Sequence, residues 1–318
     1  AWQAILLGER PQFAILSEIR GLKDAHRKSV ARRYSDLFGR IKSFIRAGVA
    51  DGSLRPYQET DAAHALFGMV QLTVLWLPGM DPADTGRAAQ EFTDIVMRGI
   101  AADRSAARRG FSVADGSIQN EEPESSLTSR QEAFCRVGSA FFNRKGFAGT
   151  SLDDIADELE VTKGAFYYNV KDKDDLLHQC FERSLARMTA SQERAMASGG
   201  SGLEELQRCV AQLFQVQTGA AGPLIRFNLI PSLSTQYKAH TLAGIERVSN
   251  RFGTMIEKGI ADGSMRPVNP YIAEQMLMSA VDLAAELPWM REIRNGPEAC
   301  RSYFALFFTG LASPTAPS

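Results

Sequence analysis

The chain has 318 residues, 44% hydrophobic and 23% charged, with a formal net charge of −1. That composition excludes a disordered or fibrous chain, and the near-zero charge gives no general attraction to nucleic acid, so any such binding must come from where charges sit. Ala, Leu, Met, Glu, Arg and Gln dominate over β-branched runs, which predicts an all-α fold of about two domains.

In chain order, Tyr34, Leu37, Ile41, Phe44 and Ile45 repeat on one helical face, and the helix is expected to run to Val49. Gly52 then supplies a left-handed stop and Pro56 prevents resumption. Two more helices are expected over Thr60–Leu77 and Ala88–Ala101. The longest apolar run, residues 66–77, contains Gln71 and is shorter than the roughly 20 residues of a membrane span. It reads as a helix inside a bundle or a subunit interface.

The phrase AGVADGSLRP at 47–56 returns as KGIADGSMRP at 258–267, with seven of ten letters unchanged and an offset of 211 (258 − 47). The same offset carries Tyr34, Leu37, Ile41, Phe44 and Ile45 onto Ile245, Val248, Phe252, Met255 and Ile256. It also carries Phe92, Ile95, Val96 and Gly99 onto Tyr303, Leu306, Phe307 and Gly310. Residues 1–101 and 212–312 therefore read as two copies of one helical domain. Between them, residues 102–126 are rich in Ser, Gly, Asn and acid without helical periodicity, and read as a linker. The remaining divisions are a DNA-binding domain over 127–185 and a second helical domain over 186–318.

Residues 129–185 carry the most specific pattern. A first helix aligns Phe134, Val137 and Phe141 and closes at Gly146. Thr150 is expected to cap a second helix, with Asp153 as capping-box partner and Leu152, Ile155, Ala156 and Leu159 as its buried stripe. Only Glu160 and Val161 separate it from Thr162, the cap of a third. Two short helices across so tight a turn make a helix-turn-helix, and Glu160 at the turn is expected in the left-handed region. Asp172 caps a long fourth helix.

This segment resembles the DNA-binding domain of the TetR family of bacterial transcriptional regulators. Gly146-Phe147, Thr150-Ser151, Asp154-Ile155-Ala156, Val161-Thr162-Lys163-Gly164, Phe166-Tyr167, Lys173 and Leu176 carry the resemblance. It implies a double-stranded operator as partner. Lys163, Lys173 and the hydroxyls of Thr150, Ser151 and Tyr167 would hold phosphates. Gly164 and Ala165 would let the recognition helix sink into the groove, and Thr162, Lys163, Tyr168 and Asn169 would face base edges. Phe166 and Val170 read as core. The family usually has Gly at Glu160, Thr at Ala165 and Phe at Val170.

The resemblance further implies that the helical domain after 186 binds a small hydrophobic or amphipathic effector. Candidate ligand contacts are Arg226, Phe227, Asn228, Tyr237, His240, Met278, Asp282 and Trp289. Asp282 and Glu286 lie one turn apart on an apolar helix and, if buried, would want a cation. The same aromatic and Met stripe equally suits a plain core. In the family, two helices from each of two chains form a four-helix dimer bundle. Here Thr60–Leu77, Ala88–Ala101, Tyr271–Leu287 and Glu298–Ala312 would form it within one chain as a pseudo-dimer, with homodimerisation also possible.

At constant offset the first copy's own DNA head would lie before residue 1 (127 − 211 = −84), so an upstream head is expected. Cys135, Cys180, Cys209 and Cys300 form no CxxC pair, and His26, His64, His178 and His240 have no metal spacing, so no cofactor or metal is expected. The absence of a signal peptide or membrane span predicts a cytoplasmic protein. No nucleophile–His–acid set or Gly-rich phosphate loop points to an enzyme. The expected function is a ligand-released repressor; the alternative is a ligand-independent scaffold whose helical domains serve pairing or protein partners.

Overall fold

A computed structural model describes residues 24–77, 80–110, 129–284 and 296–313. Among them the regular structure is helical, with no β-strand beyond two single-residue bridges. No described helix is long and apolar enough to cross a membrane. The helices before the head are α1 (Asp24–Ala50), α2 (Glu59–Gln71), α3 (Thr73–Trp76), α4 (Pro82–Arg98) and α5 (Arg104–Gly110). The head and the long helix leaving it are α6 (Ser129–Gly149), α7 (Leu152–Glu158), α8 (Lys163–Asn169) and α9 (Lys173–Ala197). There follow α10 (Gly202–Thr218), a 3₁₀ turn at Phe227–Ser232, α11 (Thr235–Ala261), α12 (Pro270–Leu283) and α13 (Pro297–Thr309).

The duplication is exact in register. Helices α1 and α11 are both 27 residues long, and both their ends are 211 apart (235 − 24 and 261 − 50). Helices α2 and α12 start 211 apart (270 − 59), and α4 and α13 end 211 apart (309 − 98). The expected helix Thr60–Leu77 divides at Leu72 (φ −86°, ψ 0°) into α2 and α3. Within the span read as linker, Arg104–Gly110 is helical: Ala107 is buried and its carbonyl accepts from Gln207 Nε2 at 3.0 Å. Residues 111–126 of that span lie outside the described residues.

The copies meet through α2 and α4 of the first and α12 and α13 of the second. Residues Ile272 to Leu283 of α12 are all buried, which explains why that helix is apolar on nearly every side. Tyr303 on α13 donates to the Ala280 carbonyl at 2.8 Å and meets the His64 ring of α2 edge-on at 5.0 Å. Each fully buried aromatic of this kind contributes about 1.5–3 kcal/mol.

The repeated phrase lies at the ends of this contact. Gly52 (φ 81°) and Gly263 (φ 78°) stop α1 and α11, as their spacing predicts. Beyond each stop the chain pairs with the end of the other copy's last helix. Leu54 bridges Ala312 and Met265 bridges Ala101, both antiparallel. Arg55 N donates to Leu311 O and Arg266 N to Ile100 O, each at 2.9 Å. Ser313 N donates to Ser53 O and Ala102 N to Ser264 O, each at 3.0 Å. Every one of these bonds has its partner at offset 211, so the two copies are related by a pseudo-twofold axis.

The two copies differ in what covers their long helices. In the second, α9 and α10 pack on α11 and leave Val248 and Met255 1% exposed. The equivalent Leu37 and Phe44 of α1 are 47% and 74% exposed.

Candidate nucleic-acid interface and a linked cavity

Helices α6, α7 and α8 form a compact head on the start of α9. Phe134, Ile155, Phe166, Val170 and Leu176 are its buried core, so Phe166 and Val170 are core as expected. Helix α6 kinks at Gly146 (φ 70°, ψ 172°). The Thr150 hydroxyl then turns inward, donating to the Gly146 carbonyl at 2.7 Å with the residue 4% exposed. The cap of α7 is therefore Ser151, whose side chain accepts from Asp154 N at 3.4 Å, and the expected Thr150–Asp153 capping box does not form. Glu160 occupies the turn at φ 54°, the left-handed conformation its position calls for. Thr162 caps α8, accepting from Ala165 N at 3.3 Å.

Helix α8 presents an outer face. Tyr168 is 90% exposed and Tyr167 48%, with the Tyr167 ring held edge-on by Phe166 at 5.7 Å. A Cβ at Gly164 would meet nothing within 4 Å, so the helix surface there is open. Lys163 is exposed and pairs with Asp153 of α7 at 2.6 Å, which raises its pKa. The Asn169 amide donates back to the Ala165 carbonyl at 2.9 Å, on a half-buried side chain. Lys173 donates to the Thr150 carbonyl at 3.2 Å and lies over the Phe147 ring at 4.8 Å. The outward set is thus Ser151, Thr162, Lys163, Gly164, Tyr167 and Tyr168, while Thr150, Asn169 and Lys173 make intramolecular bonds and Ala165 is half-buried.

The head is joined to the second helical domain by polar contacts. Glu132 of α6 receives Arg183 Nε at 2.7 Å and Arg187 at 2.5 Å, both from α9. Arg183 also donates to the Ala221 and Pro223 carbonyls of the strap leading to the 3₁₀ turn. Asn143 of α6 grips that strap twice, donating to Leu224 O at 2.8 Å and accepting from Arg226 N at 3.1 Å. Buried irregular backbone needs such partners.

Of the expected ligand residues, Arg226 and Asp282 pair with each other at 3.4 Å, 2% and 5% exposed. Asp282 also accepts from Phe227 N at 2.9 Å. The cation that buried Asp282 wants is thus supplied by the chain itself. Asn228 is buried. Tyr237 and His240 do not line the cavity described next; the Tyr237 ring stacks on His178 at 4.3 Å, and His240 pairs with Glu182 at 3.3 Å, 61% exposed. Trp289 and Glu286 lie outside the described residues.

Phe227 and Met278 do line a cavity of about 400 Å³ between α11 and α12. Leu72 of the first copy closes one wall; Ile245, Ser249, Tyr271, Glu274 and Gln275 supply much of the rest. Glu274 is 6% exposed and accepts from Ser249 Oγ at 3.2 Å and Gln275 Nε2 at 3.5 Å. Burial pushes its carboxyl up to about 7. The sequence reading passed over Ser249, Tyr271, Glu274 and Gln275. The available signal was the small Ser249 at the position where the first copy has Phe38. Among the described residues no group of His, Cys, Asp and Glu is arranged to hold a metal ion.

A helix-turn-helix head with a capped, outward-facing second helix, mounted on an all-helical body, is the arrangement that the resemblance to the TetR family implies. Two family profiles match: "Bacterial regulatory proteins, tetR family" over residues 136–180, and "Tetracyclin repressor-like, C-terminal domain" over residues 2–100. The chain thus carries a match to a TetR-family C-terminal domain ahead of a match to a TetR-family head. The Transposon Tn10 TetC protein of Escherichia coli is 30% identical over 90 residues, 28% of this chain and 45% of that protein. The transcriptional regulator YerO of Bacillus subtilis is 37% identical over 51 residues, 16% of this chain and 18% of that protein, so the chain spans less than half of either. YhgD of the same organism is 21% identical over 164 residues, 51% and 85% of the two chains. Among solved structures, the ketosteroid regulator KstR2 of Mycobacterium tuberculosis aligns at 18% identity with a TM-score of 0.48, covering 58% of this chain and 96% of that one.

Proposed function

We propose that the chain is a DNA-binding transcriptional repressor that reads an operator through α8 and is released by a small hydrophobic or amphipathic ligand. The observation that carries the DNA reading is Tyr168, an aromatic side chain left 90% exposed on a Thr162-capped helix beside Lys163. Tyr167 and Tyr168 stand exposed together on that helix, where amphipathic rings and the Lys163 ammonium can meet base edges and phosphates. Lys163 exchanges Asp153 for phosphate, and Ser151 and Thr162 offer hydroxyls and helix-terminal N–H groups to the same backbone.

The ligand reading rests on the strap. Phe227 lines the cavity, its backbone N–H is held by Asp282, and the preceding residue is bonded to Asn143 on the first helix of the head. A ligand that moves Phe227 therefore acts on α6 through two hydrogen bonds. The pseudo-twofold contact of α2 and α4 with α12 and α13 favours pairing of the copies within one chain over pairing between chains.

Selection of bound duplexes from a random library tests the DNA reading. A recurrent motif is expected, lost in Tyr168→Ala at fixed salt. Equal recovery of all sequences by the full chain defeats it.

A further inference from the structure

Residues that line the cavity have counterparts in the first copy. At offset 211, Phe38 stands where Ser249 stands, Phe67 where Met278 stands, and Ala63 where Glu274 stands. The Phe38 and Phe67 rings pack at 5.7 Å, and Tyr34 closes on Phe67 at 6.4 Å. Three rings cluster in one half at positions that line the cavity in the other. The second copy has traded a good aromatic cluster for a space and a buried carboxylate, both of which cost stability.

The lining tells which occupant would offset that cost. Glu274 receives hydrogen bonds from neutral groups, Ser249 and Gln275. Glu246 adds a second carboxylate on the α11 side, and among the described residues no Lys, Arg or His lines the cavity. Phe227 and Tyr271 offer ring surface, which attracts cations, and Tyr271 is braced edge-on by Trp76 at 6.2 Å. About 400 Å³ lies within the range of small-molecule sites.

We infer that this cavity binds one hydrophobic organic cation per chain, its charge against Glu274 and its apolar body against Phe227, Tyr271 and Met278. This deepens the ligand-release reading and rests on it only for the consequence, not for the binding. A cation holds Glu274 ionised at a depth where burial alone disfavours its charge. Leu72 brings the first copy to the same occupant, so binding is felt on both sides of the pseudo-twofold axis.

Calorimetric titration of the full chain without DNA, using tetraphenylphosphonium and its shape-matched anion tetraphenylborate, tests the site. The cation should bind 1:1 and at least tenfold more tightly than the anion. Glu274→Gln should weaken the cation at least tenfold and leave the anion unaffected. Ser249→Phe, which copies the first half, should abolish binding with the helical signal retained, and Met278→Phe serves the same purpose if that variant does not fold. Binding of neither ion, equal binding of both, two cations per chain, or an unaffected Glu274→Gln each overturn the site. A chain that selects a DNA motif yet binds no cation refutes this inference alone. One that binds the cation and selects no motif refutes the DNA reading alone.

Discussion

Gly99 and Gly310, equivalent residues of the two copies, are packed backbone to backbone. A Cβ on Gly310 would lie 2.4 Å from Gly99 N, and one on Gly99 would lie 2.6 Å from Gly310 N. Both have φ near 70° (69° and 67°), so a side chain at either is strained as well as crowded. Gly310→Ala should cost about 3 kcal/mol and lower Tm by on the order of 10 °C in thermal unfolding followed by circular dichroism. Gly99→Ala should do nearly the same, and the double variant should fall short of the sum, because one clash opens room for the other.

At the DNA face the sign of each charge change is set by the Lys163–Asp153 pair. Lys163→Ala should weaken binding to every duplex alike and reduce the slope of log K against log salt by about 1. Asp153→Asn removes the competing carboxylate and should tighten binding several-fold. Electrophoretic mobility shift over a salt series checks both; a weaker Asp153→Asn complex would place Lys163 away from phosphate.

The strap predicts a separation of functions. Asn143→Leu leaves the Leu224 carbonyl and Arg226 N–H without their side-chain partner, at about 1–3 kcal/mol for each buried group. The expected variant still folds and still binds DNA, but ligand no longer releases it. Fluorescence anisotropy of a labelled operator with and without ligand reads this out, and unchanged release would remove Asn143 from the route.

Glu274 gives a pH signature. Its carboxyl titrates near 7 when folded and near the ordinary carboxylate value when unfolded. The folded state therefore holds the extra proton between those values, and stability is highest below the unfolded pKa and falls as pH rises to about 7. The Glu274→Gln variant lacks this loss, so its Tm should exceed that of the parent by more at pH 8 than at pH 5. An equal difference at both pH values would show that Glu274 titrates as an exposed acid.

Much of the fold was legible because the pattern is periodic twice over, at 3.6 residues within helices and at 211 between copies. Thr162 as a cap and Glu160 as a left-handed turn residue follow from local chemistry, and both hold. Thr150 and Ser151 show the limit of such reading. Both can cap a helix, and only the kink at Gly146 decides that Thr150 bonds backward and Ser151 forward. Arg226 and Asp282 show another. They are 56 residues apart, so nothing in the sequence reveals that each satisfies the other. The cavity was hardest to see, because its signal is a small Ser249 where the other copy has Phe38.

That last difference follows from the pseudo-twofold contact. In a symmetric homodimer every substitution at an interface occurs twice, so a residue must suit its own mirror image. Here each position is written once on either side of the axis. Phe38 can stay while its counterpart becomes Ser249, and one half can remain a filled brace while the other specialises. The reciprocal ties between the repeated loops and the opposite helix ends lie within one polypeptide, so dilution does not separate them as it would two subunits.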